Sequence, residues 1–215
     1  MEVKEVQIQS VAHDINNATV VKSKRERFVC KNKNFHYKVW VQNWTQGDIL
    51  KFALQNGYYN ADNASALVNL LIDETGQRGY ITKNGLALGN SKSWEHFCKN
   101  THVEQRKKFI LSLLDNSLVA KGIFVDLVPS NVILCDGKIS LIDLDSFNSF
   151  NLVFRGKKED YEKFDLGAWW KPFETANRDT DAFYRSYVSQ CLGIDVDFKI
   201  NSEDAIKRLI NLVRA

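Results

Sequence analysis

The sequence predicts an α+β chain whose first part is rich in strands and whose second part is mainly helical. Up to about residue 41, β-branched and aromatic residues are separated by short polar breaks, as in antiparallel strands joined by turns. Beyond residue 100 the apolar residues instead recur at three-and-four spacing, the period of a helix with one buried face. With only 11 Gly and 2 Pro in 215 residues, and 44% hydrophobic residues, the composition is that of an ordinary globular protein and excludes collagen-like, low-complexity and disordered classes.

The segments Ala18 to Val21, Phe28 to Cys30 and Phe35 to Val41 read as strands, with breaks at His13 to Asn17 and Lys31 to Asn34. Thr45 to Asn56 reads as a short helix, because Ile49, Leu50, Ala53 and Leu54 share a face and Gly57 can end it. Two further strands follow, Ala66 to Ile72 and Arg78 to Thr82, joined by a turn at Asp73 to Gln77. A seam near Lys83 to Gly89 divides a β-rich part, residues 1–83, from a helical part, residues 84–215. In the second part, Thr101 with Glu104 has the pattern of a capping box. The helix it opens carries Phe109, Ile110, Leu113, Leu114 and Leu118 on one face and ends at Lys121 and Gly122. Two more amphipathic segments, Thr180 to Cys191 and Glu203 to Val213, complete the chain, the latter with Ser202 as its N-cap.

Charge and cysteine usage narrow the function classes. Lys and Arg number 29 against 26 Asp and Glu, a formal +3 spread in short clusters such as Lys22 to Lys33, which gives no case for nucleic acid as the main partner. Met1 to Ser10 lacks the apolar core of a signal peptide and no window approaches a membrane-spanning run, so no membrane span and a cytoplasmic location are expected. Cys30, Cys98, Cys135 and Cys191 are far apart without metal-ligand spacing, which points to free thiols rather than a zinc site or disulfide framework.

The stretch Gly122 to Asp143 is the most informative. Asp136-Gly137 between two apolar runs signals a two-residue hairpin, since both central positions of a type I′ turn need positive φ. Pairing Cys135 with Lys138 then sets Leu134 against Ile139, Val132 against Leu141 and Asn131 against Ile142. Asn131 and Asp143 thereby come to the same open end of the hairpin, and Asp126 enters that end five residues before Asn131. Two carboxylates and an amide suit Mg²⁺ bound together with substrate phosphates.

Asp126-Leu-Val-Pro-Ser-Asn131, followed after the hairpin by Leu141-Ile-Asp143-Leu, resembles the catalytic loop and metal-binding aspartate of the protein-kinase-like superfamily. The resemblance implies a two-lobed fold, with a small β-rich N-terminal lobe and a mainly helical C-terminal lobe, that uses ATP and Mg²⁺. It assigns Asp126 as the catalytic base and Asn131 and Asp143 as metal ligands. Lys38, in Phe35-His-Tyr-Lys-Val-Trp-Val41, is similar to the third-strand lysine that holds the phosphates, and Tyr80-Ile-Thr82-Lys83 stands where the family reads adenine through backbone groups. Leu144 and Asp145 replace the Phe-Gly common in protein kinases, as in small-molecule, sugar and lipopolysaccharide kinases. The implied activity is transfer of the γ-phosphoryl group of ATP to a hydroxyl acceptor, either protein Ser/Thr or a sugar or lipopolysaccharide-type molecule. The alternative is a pseudokinase acting as a nucleotide-binding or scaffolding module.

The pattern departs from the family in four places. The chain has no G-x-G-x-x-G, and neither candidate turn over the phosphates, His13 to Asn17 or Lys22 to Arg27, contains glycine. The helix Thr45 to Asn56 has no Glu for Lys38, leaving Asp48, Asp62, Asp73 and Glu74 as candidate partners. Phe124 and Val125 replace the residues that usually precede the catalytic Asp, and Val128 replaces a Lys or His. Elsewhere, Trp169-Trp170 with Phe164 and Phe173 reads as core, Asp160, Glu162 and Asp165 as a solvated face, and His36, His96 and His102 as structural or surface residues. A substrate patch is placed by position alone at Phe147 to Phe154 or Tyr161 to Phe173.

Overall fold

A computed structural model of the chain describes residues 1–24, 27–40, 46–55, 57–87, 94–120, 122–123, 127, 129–144, 171–172, 178–200 and 202–215. Asp126, Phe124, Val125, Val128, the aromatic residues Phe164, Trp169, Trp170 and Phe173, the acidic residues Asp160, Glu162 and Asp165, and nearly all of both candidate substrate patches lie outside the described residues.

The first part forms a six-stranded sheet. Strands β1 (Lys4–Gln7), β2 (Thr19–Lys24), β3 (Arg27–Lys31), β4 (Phe35–Trp40), β5 (Leu67–Asp73) and β6 (Gly76–Lys83) lie in the order β1-β5-β6-β4-β3-β2. All neighbours are antiparallel except β1, which runs parallel to β5. Helix α2 (Gln46–Gln55) connects β4 to β5 and buries Leu50 and Ala53 as its spacing predicts.

The alternation of β4 shows why this strand forms here. Phe35, Tyr37 and Val39 join Cys30, Leu71 and Ile81 in a cluster on the outer face of the sheet, whereas His36, Lys38 and Trp40 point inward. The outer cluster is covered by Ile8 and Val11 from a 3-10 turn and by Ile15 from the short helix α1 (Ala12–Asn16). His13 to Asn17, read as a bare turn, is therefore mostly helical. Its local sequence is polar, and burial of Ile15 against the sheet outweighs that preference.

The second part holds α3 (Glu95–Asn100), the long α4 (Val103–Ala120), α5 (Arg178–Leu192) and α6 (Glu203–Arg214). It is not helical throughout. Strands β9 (Val132–Cys135) and β10 (Lys138–Leu141) form a hairpin joined by β7 (Leu86–Ala87), and β8 (Gly122–Ile123) pairs with β11 (Lys171–Pro172). Ser202 caps α6 by accepting from the Ala205 N–H at 3.1 Å. The capping box of α4 falls one residue later than Thr101 with Glu104: the Gln105 Oε1 accepts the His102 N–H at 2.8 Å. Thr101 instead closes α3, its hydroxyl donating to the Phe97 carbonyl at 2.8 Å.

One apolar core runs across the seam. Trp40, Leu50 and Tyr80 from the first part pack in the same cluster as Phe109, Leu113, Val132, Leu141 and the inner faces of α5 and α6. The sheet and the hairpin are thus fixed against each other, and the seam segment 84–87 passes between them. No helix among the described residues is long and apolar enough to cross a membrane. The four cysteines are free thiols, and burial pushes those of Cys30, Cys135 and Cys191 above the ordinary thiol range, which disfavours the reactive thiolate.

Candidate functional site

The hairpin has the register that Asp136-Gly137 dictates: Lys138 faces Cys135, Ile139 faces Leu134 and Leu141 faces Val132. Asp136 and Gly137 have φ of 49° and 73°, the two left-handed positions of a type I′ turn. The Ile142 N–H then donates to the Asn131 carbonyl at 3.0 Å, so Asn131 and Asp143 flank the open end together. The turn is held from outside by Gln105, whose Nε2 donates to the Gly137 carbonyl at 2.6 Å. Its base is held by Asn63, whose carbonyl accepts the Leu141 N–H at 2.8 Å.

The inner face of the sheet lies over that open end. Lys38 donates through Nζ to Asp143 Oδ1, an ion pair between residues 105 apart in the chain. Asp62 and Asp73, candidate partners of Lys38, are engaged elsewhere: Asp62 pairs with Lys108 at 3.1 Å and Asp73 with Arg78 at 2.5 Å. Nothing is described of the Asp48 side chain, which lies outside the described residues.

Tyr80 occupies the position opposite Lys38 on β6, with the Lys38 ammonium 5.6 Å from its ring centroid. Its hydroxyl donates to the Ile142 carbonyl at 3.1 Å and accepts the Leu144 N–H at 3.2 Å, so one side chain brackets the backbone on both sides of Asp143. Tyr59 adds a hydrogen bond to the Leu144 carbonyl at 3.1 Å. Tyr80 was assigned by resemblance to backbone recognition of a base, as was Thr82. Both lie inside the sheet with register partners on each side, Lys38 and Leu70 for Tyr80, His36 and Leu67 for Thr82. Their backbone belongs to the ladder, and what they bring to the site is their side chains. The backbone that leaves the sheet beside the site is that of residues 84–87, where Gly85 packs so closely on β9 that a Cβ would stand 2.6 Å from the Leu134 carbonyl oxygen.

A cavity of about 250 Å³ separates sheet and hairpin. Lys22, Val29, His36, Lys38, Tyr80 and Thr82 line its sheet side. Asn131, Ile133, Ile142 and Asp143 line the hairpin side, with Gly85 and Ala87 along one edge. Lys38, Asp143 and Asn131 give the cavity a polar end, and Val29, Ile133 and Ile142 add apolar side chains, the mixed lining of a small-molecule site. Burial and the nearby Lys31 push His36 below the ordinary imidazole range, partly offset by a hydrogen bond to Asn84, so the neutral ring faces the cavity. A larger open groove of about 450 Å³ lies between α4 and the end of α6, but its charges neutralise one another in pairs such as Lys108 with Asp62 and Arg214 with Asp115.

The polar end fits a hard cation in one way. Asn131 and Asp143 supply an amide oxygen and a carboxylate, and among the described residues no group of three or more His, Cys, Asp or Glu converges to form a cage of protein ligands alone. Such a donor set suits Mg²⁺ completed by ligand phosphates and water. Sequence reasoning placed Lys22 in a candidate turn over the phosphates, Lys22 to Arg27, whereas Lys22 to Lys24 belong to β2; it missed Val29 and Gly85 as lining residues and the bracketing role of the Tyr80 hydroxyl. The signal available was the shared strand face of His36 and Lys38 and of Tyr80 and Thr82.

Tyr80→Phe removes only the bracketing hydroxyl. Loss of hydrogen bonds to two backbone groups, one on the fully buried Leu144, is expected to lower stability by about 1–3 kcal/mol in denaturant titration. Unchanged stability would show that the hydroxyl is not the strut that holds the Asp143 backbone. In comparisons with known proteins, no family model and no curated protein sequence matches the chain.

Proposed function

We propose that the chain is an ATP-dependent phosphotransferase that moves the γ-phosphoryl group of ATP to a hydroxyl acceptor, on a two-lobed protein-kinase-like fold. The observation that carries this reading is the Lys38–Asp143 ion pair, set at the polar end of a cavity between the sheet and the hairpin and flanked by Asn131. Lys38 lies on the third strand of the meander β2-β3-β4, and α2 is the next described element, which is where the resemblance puts the phosphate-binding lysine and the helix next to it. Asn131 directly precedes β9 and Asp143 lies two residues beyond the end of β10, an arrangement consistent with the catalytic-loop resemblance.

On this reading Lys38 binds the phosphates, and Asn131 and Asp143 hold Mg²⁺, which neutralises charge on them. Asp126 accepts the proton of the attacking hydroxyl. Ile133 and Ala87, which line the cavity beyond the Lys38–Asp143 pair, provide apolar contact for the base. The side chains contribute positioning and charge stabilisation, since phosphoryl transfer asks little covalent chemistry of the protein. The acceptor is a protein Ser/Thr or a sugar-type hydroxyl, and an ATP-rich compartment such as the cytoplasm is the place of work.

The test is the melting temperature with and without Mg²⁺-ATP, followed by a phosphate-transfer assay on wild type and Asp126→Ala. Ligand at about 100-fold excess over Kd adds about 2.7 kcal/mol, roughly 5–10 °C for a chain of this length. Asp126→Ala is expected to keep that shift and lose transfer. No shift at any ATP concentration overturns the reading. A shift without transfer in the wild type identifies a nucleotide-binding regulatory module, the reading that the glycine-free sequence between β2 and β3 favours.

A further inference from the structure

We propose that Lys22 is a phosphate-gripping residue of the cavity, presented to it by a β-bulge at Val21 in place of the backbone amides of a glycine-rich turn. The proposal rests on the nucleotide reading above and goes beyond it, since the resemblance offers Lys22 to Arg27 only as a turn over the phosphates and the register of regular strands would turn the Lys22 side chain away.

The register of β2 on β3 carries the inference. Thr19 faces Lys31 and Val20 faces Cys30, but the next pair is Lys22 with Val29, so Val21 is the extra residue. Without the bulge, Val21 would stand opposite Val29 and Lys22 opposite Phe28, whose side chain packs with the outer cluster away from the cavity. The bulge exchanges the faces. It places Lys22, Val29, Lys38 and Tyr80 in one row across the inner face of the sheet, with Lys22 at the rim of the cavity. Bulges re-aim side chains next to active sites, and an inserted residue that turns a lysine inward is such a case.

Charge identifies the ligand. The cavity lining holds two ammonium groups, Lys22 and Lys38, and one carboxylate, Asp143. Lys38 is engaged with Asp143, whereas Lys22 forms no ion pair with a described residue. Protection of the edge strand accounts for a bulge and an inward-turned lysine on β2, the outermost strand of the sheet; what points to a ligand is that this lysine lines the same cavity as Lys38, Asn131 and Asp143. Adjacent strands are about 4.8 Å apart, so Lys22 and Lys38 stand roughly two strand spacings from one another, with Val29 between them and both lining the cavity. A chain of phosphates fits between them. The sequence between β2 and β3 has no glycine to bring backbone amides onto a phosphate, and a side-chain ammonium does that work.

The experiment is calorimetric titration of the full chain with Mg²⁺-ATP and with adenosine, for wild type, Lys22→Ala and Lys22→Arg, at low and at physiological salt. Lys22→Ala is expected to weaken ATP roughly tenfold to a hundredfold, the worth of a hydrogen bond to a charged group, while adenosine binds as before. Lys22→Arg should recover most of the loss, and the salt dependence of ATP affinity should be flatter in Lys22→Ala. Wild-type ATP affinity in Lys22→Ala, or equal weakening of ATP and adenosine, overturns the proposal and leaves the phosphotransferase reading in place. If the wild type binds neither compound, the phosphotransferase reading fails first and the role of Lys22 with it.

Discussion

Asp143→Asn is expected to abolish the Mg²⁺-dependent part of ATP binding while leaving metal-free ATP binding as strong as in the wild type or stronger. The sign follows from the ion pair. In the free protein Lys38 is spent on Asp143, with the two side chains 10% and 27% exposed. A phosphate chain entering without metal must draw Lys38 away and accept a carboxylate beside its own negative charge; the Asn variant lowers the first cost and removes the second. On the proposed reading the wild-type carboxylate would hold Mg²⁺ instead, and the variant would keep only a neutral amide there. Wild type and variant should therefore respond in opposite directions to a chelator. Transfer should fall by about 10²–10³-fold or more, the loss typical when a group that stabilises developing charge is deleted. Stability should fall by about 1–3 kcal/mol, less than for a fully buried pair, because Asp143 keeps part of its side chain in solvent and Asn can still accept from Lys38. A melting-temperature series over ATP, with Mg²⁺ or chelator, reads all of this except the rate. A variant whose Mg²⁺ response equals that of the wild type removes Asp143 from the metal site.

What could be read from the sequence was what short-range rules determine. Asp136-Gly137 admits one common turn, that turn admits one register, and the register alone brings Asn131 and Asp143 to the same end. Ser202 and the apolar face of α6 are equally local. The Lys38–Asp143 contact is not local: it depends on how the sheet settles on the hairpin through the shared core, and no spacing rule spans 105 residues. The face of Lys22 was hidden for a different reason. A bulge shifts the alternation by one residue and leaves no mark in a sequence whose neighbours Val20 and Val21 are both exposed valines. Strand β1 escaped notice because Lys4 to Gln7 carries only one apolar residue, and its pairing is parallel to a strand more than sixty residues later. Tyr80 illustrates the limit of analogy. The resemblance draws attention to the backbone of its strand, whereas the contacts that tie Tyr80 to Ile142 and Leu144 are made by its phenol hydroxyl.

Gly79→Ala is expected to be among the most damaging single-methyl additions, and it connects fold to site. Gly79 has φ of +157°, and a Cβ placed on it would stand 2.0 Å from the Lys38 carbonyl oxygen and 3.2 Å from the Val39 Cα. Both obstacles are backbone, so no side chain can swing aside. Relief requires β6 to move away from β4 at the pair where Val39 faces Gly79, one step from the pair where Lys38 faces Tyr80. Unfavourable φ contributes about 1–3 kcal/mol and the forced separation a similar amount, for a total of about 3 kcal/mol or more. At roughly 2–4 °C per kcal/mol the melting temperature should drop by about 6–12 °C. Gly137→Ala is the control for strain without collision, since Gly137 has φ of +73° and nothing within 4 Å of the added Cβ; it should cost about 1–2 kcal/mol. The two variants differ in a second way. Separation of β6 from β4 displaces the Lys38 backbone and pulls Tyr80 from Ile142 and Leu144, so Gly79→Ala should weaken Mg²⁺-ATP well below its melting point, whereas Gly137→Ala should leave it unchanged. A Gly79→Ala protein that melts within about 2 °C of wild type would show that β4 and β6 do not need this close approach. The placing of Lys38 over Asp143 would then have to come from the core on the inner face alone.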